Sequence, residues 1–155
     1  MKSHCIIVFA FTLLIFSCKK EEQLSEGEFS CLVNGESWRG TDPEIDRTQD
    51  GLIQLTAEDT SYRFLIKLND NGMGTYDLTA SGNIASVIDL ADEGFEQYTT
   101  HSSGGENSGT ITISAILIDD LKKTMNGTFT FKAHKLDGSS LNIANGVFNN
   151  VPFIQ

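Results

Sequence analysis

The chain contains 155 residues, of which 39% are hydrophobic and 21% are charged, and this composition is typical of one globular domain. Asp and Glu number 21 against 11 Lys and Arg, so the formal net charge is -10 at pH 7. Binding to nucleic acid relies on Lys and Arg to neutralise phosphates, and so acidic a chain is poorly suited to it. We therefore expect no nucleic-acid partner.

The amino terminus has the pattern of an export signal. Lys2 provides a short positive start, and an apolar run follows from Ile6 to Phe16. As a helix this run would rise about 16 Å, which is too short for a hydrocarbon core of roughly 30 Å. The pattern predicts a signal peptide over residues 1–17 and not a membrane span.

The signal ends in a sequence that resembles the bacterial lipoprotein box. Ile15-Phe16-Ser17 places an aliphatic residue, a second residue and a small residue directly before Cys18. The resemblance implies that the Cys18 thiol is alkylated by a diacylglyceryl group, that the chain is cut before Cys18, and that fatty acids such as palmitate anchor it. Several acyl chains together anchor a protein stably. An ordinary signal peptide with a chance cysteine is the alternative.

Residues 18–27 are predicted to be an acylated tether, because they are mostly polar and show no periodic pattern. Within them, Lys20, Glu21 and Glu22 resemble the export signal of Bacteroidota surface lipoproteins. The resemblance implies a protein anchored in the outer membrane and displayed at the cell surface. The periplasmic face of the outer membrane is the alternative location, since any lipoprotein could have a charged tether.

Beyond the tether, apolar residues alternate with polar ones, which is typical of half-buried β-strands. Phe29, Cys31 and Val33 share one face, and Asn34-Gly35 then predicts a tight hairpin before a returning strand at residues 36–39. A slip in the alternation at Asn145-Gly146 predicts a bulge. Further strands are predicted near residues 53–57, 62–68, 76–80, 84–90, 95–100, 110–117, 128–133 and 141–148.

The predicted fold class is all-β, since no long segment shows helical spacing. Short connections favour an antiparallel meander of about eight to ten strands, in a single domain over residues 28–155. Closing the sheet would remove exposed strand edges. A barrel-like fold and a strongly curved sandwich are both compatible with the pattern.

Four segments carry a resemblance to a known family: residues 29–38, 108–113, 126–131 and 146–148. They resemble a family of small, uncharacterised Bacteroidota lipoproteins with an all-β domain of unknown function. The resemblance covers about residues 28 to 152. It implies an exported β domain and brings no catalytic residues with it.

The histidines and the remaining cysteine do not form a recognisable reactive motif. His134 falls on the polar face of its predicted strand and His101 begins a Gly/Ser loop, so we expect both at the surface. Cys31 is the one cysteine left after Cys18, which excludes an intramolecular disulfide, and its inward phase predicts a buried apolar role. Trp38 is predicted to pack across the first hairpin, with stacking on a carbohydrate as the alternative.

The acidic pairs and glycine-rich segments are interpreted as solvated turns and loops, and neither a metal nor a cofactor is expected. Asp92-Glu93 and Asp119-Asp120 are sequence neighbours, whereas acid/base catalysis needs carboxylates held apart across a cleft. Residues 69–72 lack the ligand pattern of a calcium loop. Residues 104–109 lack the Lys and the following helix of a phosphate loop.

Three functions fit these observations. The leading hypothesis is an outer-membrane-anchored lipoprotein that serves as a non-enzymatic binding or interaction module. A β-barrel that binds a small apolar ligand or a glycan is the alternative, and it would need a cavity. A small exported hydrolase is the third, and it would need polar residues gathered in a cleft. Whether the partner is a glycan, a small molecule or a protein is left open.

Overall fold

The computed structural model describes residues 27–69, 72–91, 94–119 and 122–154. Ten strands and no helix occur within these ranges, so the predicted all-β class is confirmed. The strands are β1 (Glu28–Val33), β2 (Glu36–Arg47), β3 (Leu52–Glu58), β4 (Tyr62–Asn69), β5 (Gly74–Asp77), β6 (Ile84–Asp89), β7 (Gln97–Thr99), β8 (Ser108–Asp119), β9 (Lys122–His134) and β10 (Ser140–Pro152).

Eight of the strands form a closed antiparallel barrel. β1, β2, β3 and β4 pair in sequence, β4 pairs with β6, β6 pairs with β7, and β10 pairs with both β9 and β1. The ring closes where Thr99 of β7 pairs with His134 of β9. The predicted barrel-like sheet is therefore confirmed, and its closure distinguishes it from an open sandwich.

The remaining two strands depart from a simple meander. β8 lies along one edge of β9 over residues 122–132, and β5 pairs with β8 instead of with β4. Asn83 holds the connection between β5 and β6: its side-chain amide donates to the carbonyl of Asp77 at 2.9 Å, and its oxygen accepts from the Asn69 amide at 3.0 Å. Ala80, predicted within a strand, is exposed in this turn because the chain reverses there.

The first hairpin follows the sequence signal. Asn34 and Gly35 have φ angles of 51° and 90°, the left-handed pair that a tight hairpin turn requires. The Asn34 side chain also accepts a hydrogen bond at 2.9 Å from the Asn142 amide of β10. The turn therefore fixes the β1–β2 register and ties it to the last strand.

β2 is much longer than predicted. Gly40 and Pro43 are residues that usually end strands, yet β2 continues through both to Arg47. A Cβ atom at Gly40 would lie 2.9 Å from Cη2 of Trp38, so only glycine leaves room for the indole ring. Pro43 falls where the register with β3 shifts, a place where a proline interrupts no regular pairing.

Aromatic side chains fill the barrel interior. The ring centroids of Phe29 and Phe129 are 4.7 Å apart, and those of Trp38 and Phe64 are 4.4 Å apart. Each of these rings is buried, and burial of large aromatic surfaces is the main source of stability in such a core. A ligand at the barrel centre would have to displace them, so binding is to be sought at the outer surface.

Candidate functional site

β2, β10 and the β8–β9 hairpin come together at the end of the barrel where β1 begins. β1 starts at Glu28, between β2 and β10. Ile45 of β2 forms a parallel bridge with Phe153, which follows β10. Gly27 lies so close to β10 that a Cβ atom would be 3.0 Å from Cα of Val151. We call this end of the barrel the Gly27 end.

Two irregular backbone positions lie at the Gly27 end. Asp42 in β2 has a φ of 43° and Asn150 in β10 a φ of 51°, a region that few residues other than glycine adopt. Each lies within a shift of strand register. The Asn150 amide donates a 2.6 Å hydrogen bond to the side-chain oxygen of Asn126, which holds this bulge in place. Because bulges bend a strand, the backbones of β2 and β10 change direction here.

A groove of about 710 Å³ is lined by residues of β2, β10 and the β8–β9 hairpin. This volume is in the usual range for binding sites, roughly 300–1,000 Å³. The charged side chains of its lining are Arg39, Asp42, Glu44, Asp119 and Lys122, and the apolar ones are Pro43, Leu117, Pro152 and Ile154. The arrangement can form ion pairs and apolar contacts with one ligand at the same time.

At the opposite end of the barrel the loop over residues 101–107 packs on His134 of β9, and we call this the His134 end. Nε2 of His134 lies 2.9 Å from the carbonyl oxygen of Glu106. A Cβ atom at Gly105 would be only 2.4 Å from Cε1 of His134, so the glycine backbone packs directly on the imidazole. His134 is 4% exposed, and the prediction of a surface His134 is wrong because this loop folds over the outer face of β9.

Other polar side chains at the His134 end form hydrogen bonds with backbone atoms. The Thr100 hydroxyl donates to the carbonyl of Leu78 at 2.8 Å and accepts from the Ala85 amide at 3.1 Å. The His101 ring is exposed, as predicted, and one of its nitrogens lies 3.2 Å from the same Leu78 carbonyl. These contacts hold backbone segments of this end of the barrel together.

A family match covers nearly the whole described chain. Residues 25–152 match a family described as Domain of unknown function (DUF6252). The chain belongs to this family. The DUF6252 match includes all ten strands, so the expectation of an uncharacterised family with an all-β domain is confirmed. No curated protein matches the chain, and no solved structure matches it.

Two residues of the DUF6252 domain that carry chemistry in other proteins belong here to the core. Burial raises the pKa of the Cys31 thiol to about 12, so it is protonated and a poor nucleophile near neutral pH. Trp38 is 7% exposed and packs edge-on against Phe29 at 5.9 Å across the first hairpin, as predicted. The alternative of carbohydrate stacking on Trp38 is wrong, since the ring faces the interior.

Several predicted residues lie outside the described part of the chain. These are the lipidation site Cys18, the export-signal residues Lys20, Glu21 and Glu22, and the acidic residues Asp92, Glu93 and Asp120. Asp119 ends β8 and is exposed, as expected for a turn. Residues 27–69, 72–91, 94–119 and 122–154 contain no group of three His, Cys, Asp or Glu side chains placed to hold a metal ion. The same ranges contain no helix of a length and hydrophobicity that would cross a bilayer.

The groove itself was not predicted. Apart from Arg39, its charged residues are Asp42 and Glu44, in a part of the chain for which no strand was predicted, and Asp119 and Lys122, which were interpreted as a turn. One signal was present: the apolar residues Trp38 and Ile45 are seven positions apart, an odd spacing that strict alternation would place on opposite faces of a strand. Such a slip, like that at Asn145-Gly146, marks a bulge and so a local opening of a sheet.

Proposed function

We propose that this protein is an outer-membrane lipoprotein, anchored through Cys18, whose β-barrel is a non-enzymatic binding module. The apolar run before Ser17-Cys18 supports the anchor. The groove at the Gly27 end supports the binding role, and it is the observation on which the proposal depends. The filled barrel centre gives less support to a ligand held inside.

The groove favours a protein segment as its ligand. Arg39 and Lys122 offer cations, while Asp42 and Glu44 offer anions, so a partner segment with charges of both signs can pair along it. Leu117 adds apolar surface to the same lining. Interfaces between proteins combine such apolar contacts with a charged rim.

Acylation is tested at Cys18. Wild-type protein and Cys18→Ala would be expressed in cells fed a labelled fatty-acid analogue. We expect label on the wild-type chain and none on Cys18→Ala, which should accumulate as unprocessed precursor or as a non-acylated product. Label retained by Cys18→Ala would show that the anchor is elsewhere.

Groove binding is tested by charge reversal. An affinity-tagged wild-type protein would be compared with the double variant Arg39→Glu/Lys122→Glu, and partners would be identified by mass spectrometry. Lys67→Glu/Lys132→Glu is the matched control, because it changes the net charge equally at two positions outside the groove lining. Groove partners should be lost only from the first variant. Partners kept by both variants would contradict the proposed site.

Surface display is the finer part of the proposal. Lys20, Glu21 and Glu22 support it by their resemblance to a surface-export signal. Protease added to intact cells should digest the wild-type protein, and alanine at these three positions should protect it without loss of acylation. A wild-type protein that resists protease until the outer membrane is permeabilised would instead lie on the periplasmic face.

A further inference from the structure

The tip of the β8–β9 hairpin lies beside the point where the chain leaves the described structure. We define the β8–β9 tip as Leu117–Asp119 together with Lys122–Lys123. Leu117 pairs with Thr124, and Thr124 pairs with Pro152 of β10. Gly27 packs on that proline, with 3.1 Å between its Cβ position and the proline Cδ. Neighbouring strands are about 4.8 Å apart, so the tip and Gly27 lie at one end of the barrel.

The β8–β9 tip exposes two adjacent apolar side chains. Ile118 is 80% exposed and Leu117 is 50% exposed. Successive residues of a strand point to opposite faces, so the tip is apolar on both of its faces. Earlier in β8 the exposed positions are Ser108, Thr110 and Ser114, and the outward positions of β9 include Thr128. Within the described residues of β8 and β9, the large exposed apolar side chains are therefore those of the tip.

Two lysines accompany these apolar side chains. Lys122 pairs with Asp119, and Lys123 pairs with Ile118. The ammonium of Lys123 lies 4.1 Å from the centroid of the Phe153 ring. Lysine stems can lie along apolar surface while the ammonium reaches water or a lipid headgroup. Apolar residues flanked by lysine are typical of protein surfaces that contact a bilayer interface.

The sequence before Gly27 indicates which surface lies next to the β8–β9 tip. Under the proposed function Cys18 carries the lipid anchor, and only residues 19–26 separate it from Gly27. Even fully extended, this segment spans no more than roughly 30 Å. The anchor therefore keeps the Gly27 end close to the lipid surface. A contact that is weak alone becomes occupied under such tethering, because the effective concentration is high.

We propose that the β8–β9 tip contacts the lipid surface that holds the Cys18 anchor, with Ile118 at the boundary between headgroups and acyl chains. This inference rests on the proposed lipid anchor and adds an orientation to it. The Gly27 end faces the bilayer and the His134 end faces away. The groove then opens at the level of the membrane surface, where a membrane-bound partner reaches it.

The test uses the acylated full chain in vesicles of phosphatidylethanolamine and phosphatidylglycerol. An environment-sensitive fluorophore would be attached at Ile118→Cys and, as a matched control, at Leu136→Cys, whose parent side chain is 84% exposed in the β9–β10 connection. Cys31 is buried and the Cys18 sulfur is acylated, so neither competes for the label. Quencher groups on the lipid should reduce the fluorescence at residue 118 several-fold more than at residue 136.

Flotation of the same vesicles separates this inference from the anchor. If the protein floats with the vesicles and both labels are quenched equally, the tip does not contact lipid and the anchor stands. If the protein does not float, the anchor and the tip contact both fail. If the signal at residue 118 depends on protein density and not on the lipid quencher, the tip contacts a second copy of the chain and the inference is wrong.

Discussion

The two ends of the barrel differ in the local structure that surrounds them. At the His134 end, a glycine-rich loop packs on β9, and Thr100 and His134 form hydrogen bonds with backbone atoms. At the Gly27 end, bulged strands at Asp42 and Asn150 flank a groove. The comparison shows that specific backbone irregularities accompany the groove, whereas close packing of a loop on a side chain marks the other end.

Both ends are built on one aromatic core, and the largest expected effect comes from disrupting it. Phe131 is buried, with its ring centroid 6.3 Å from that of Phe64. Phe131→Asp places an unpaired charge there and should cost at least about 4 kcal/mol of unfolding free energy. Thr128→Asp, on the outer face of the same strand, is the control. Denaturant unfolding measures both, and equal stabilities would mean that the inward face of β9 is misassigned.

The His134 end should be sensitive to a single methyl group. Gly105→Ala would place Cβ against the His134 ring and should cost about 1–3 kcal/mol by overpacking. Gly94→Ala is the matched control, since the nearest atom, Cγ of Glu96, is 3.8 Å from its Cβ position. Thermal unfolding compares the two variants. If Gly105→Ala has the same melting temperature as the wild-type protein, the loop does not pack on His134.

At the Gly27 end, stability should depend instead on the backbone conformation of Asp42. Asp42→Val places a β-branched residue at a φ of 43° and should cost about 1–2 kcal/mol. Glu44→Val, on the same exposed face of β2 beyond the bulge, should be nearly neutral, because β-branched residues favour strands. Thermal unfolding of both variants measures this difference in stability. A neutral Asp42→Val would show that the bulge is not fixed in the left-handed region.

The smallest expected effect on the free energy of unfolding comes from Asp59 in the β3–β4 turn. It serves as a reference for the larger effects expected at both ends. Desolvation raises the pKa of Asp59, but the hydrogen bonds that its carboxylate accepts, among them those from the Tyr62 and Ser61 amides, together outweigh it, and the pKa falls below its usual 3.8. The stabilisation is therefore complete above the unfolded-state pKa and is lost as pH falls through the folded-state value. After screening by solvent it should be under about 1 kcal/mol.

Asp59→Ala and Asp59→Asn test this reference. Asp59→Ala should melt slightly below the wild-type protein near neutral pH, and the difference should shrink in strong acid. Asp59→Asn keeps an acceptor for the two amides without the charge, so its stability relative to Asp59→Ala should change little with pH. A difference that instead grows on acidification would contradict the lowered pKa.

The sequence predicted the parts of the fold that depend on local chemistry. Alternation identified the inward face at Phe29, Cys31 and Val33, and Asn34-Gly35 identified its hairpin, because both are set by neighbouring residues. The burial of His134 was missed because the loop that covers it lies near Gly105, far along the chain. The groove was missed for the same reason, since residues of four strands, β2, β8, β9 and β10, must come together to form it.

The pairing of β1 with β10 has a consequence for how the chain folds during synthesis. Asn34 and Asn142, which are 108 positions apart, are joined by a side-chain hydrogen bond at this seam. Contacts between such distant residues form late, since the entropy of closing the intervening chain must first be overcome. As the amino terminus emerges first, β1 has one unpaired edge until β10 has been synthesised. Barrel closure therefore waits for β10, and any factor that holds the chain unfolded acts within that interval.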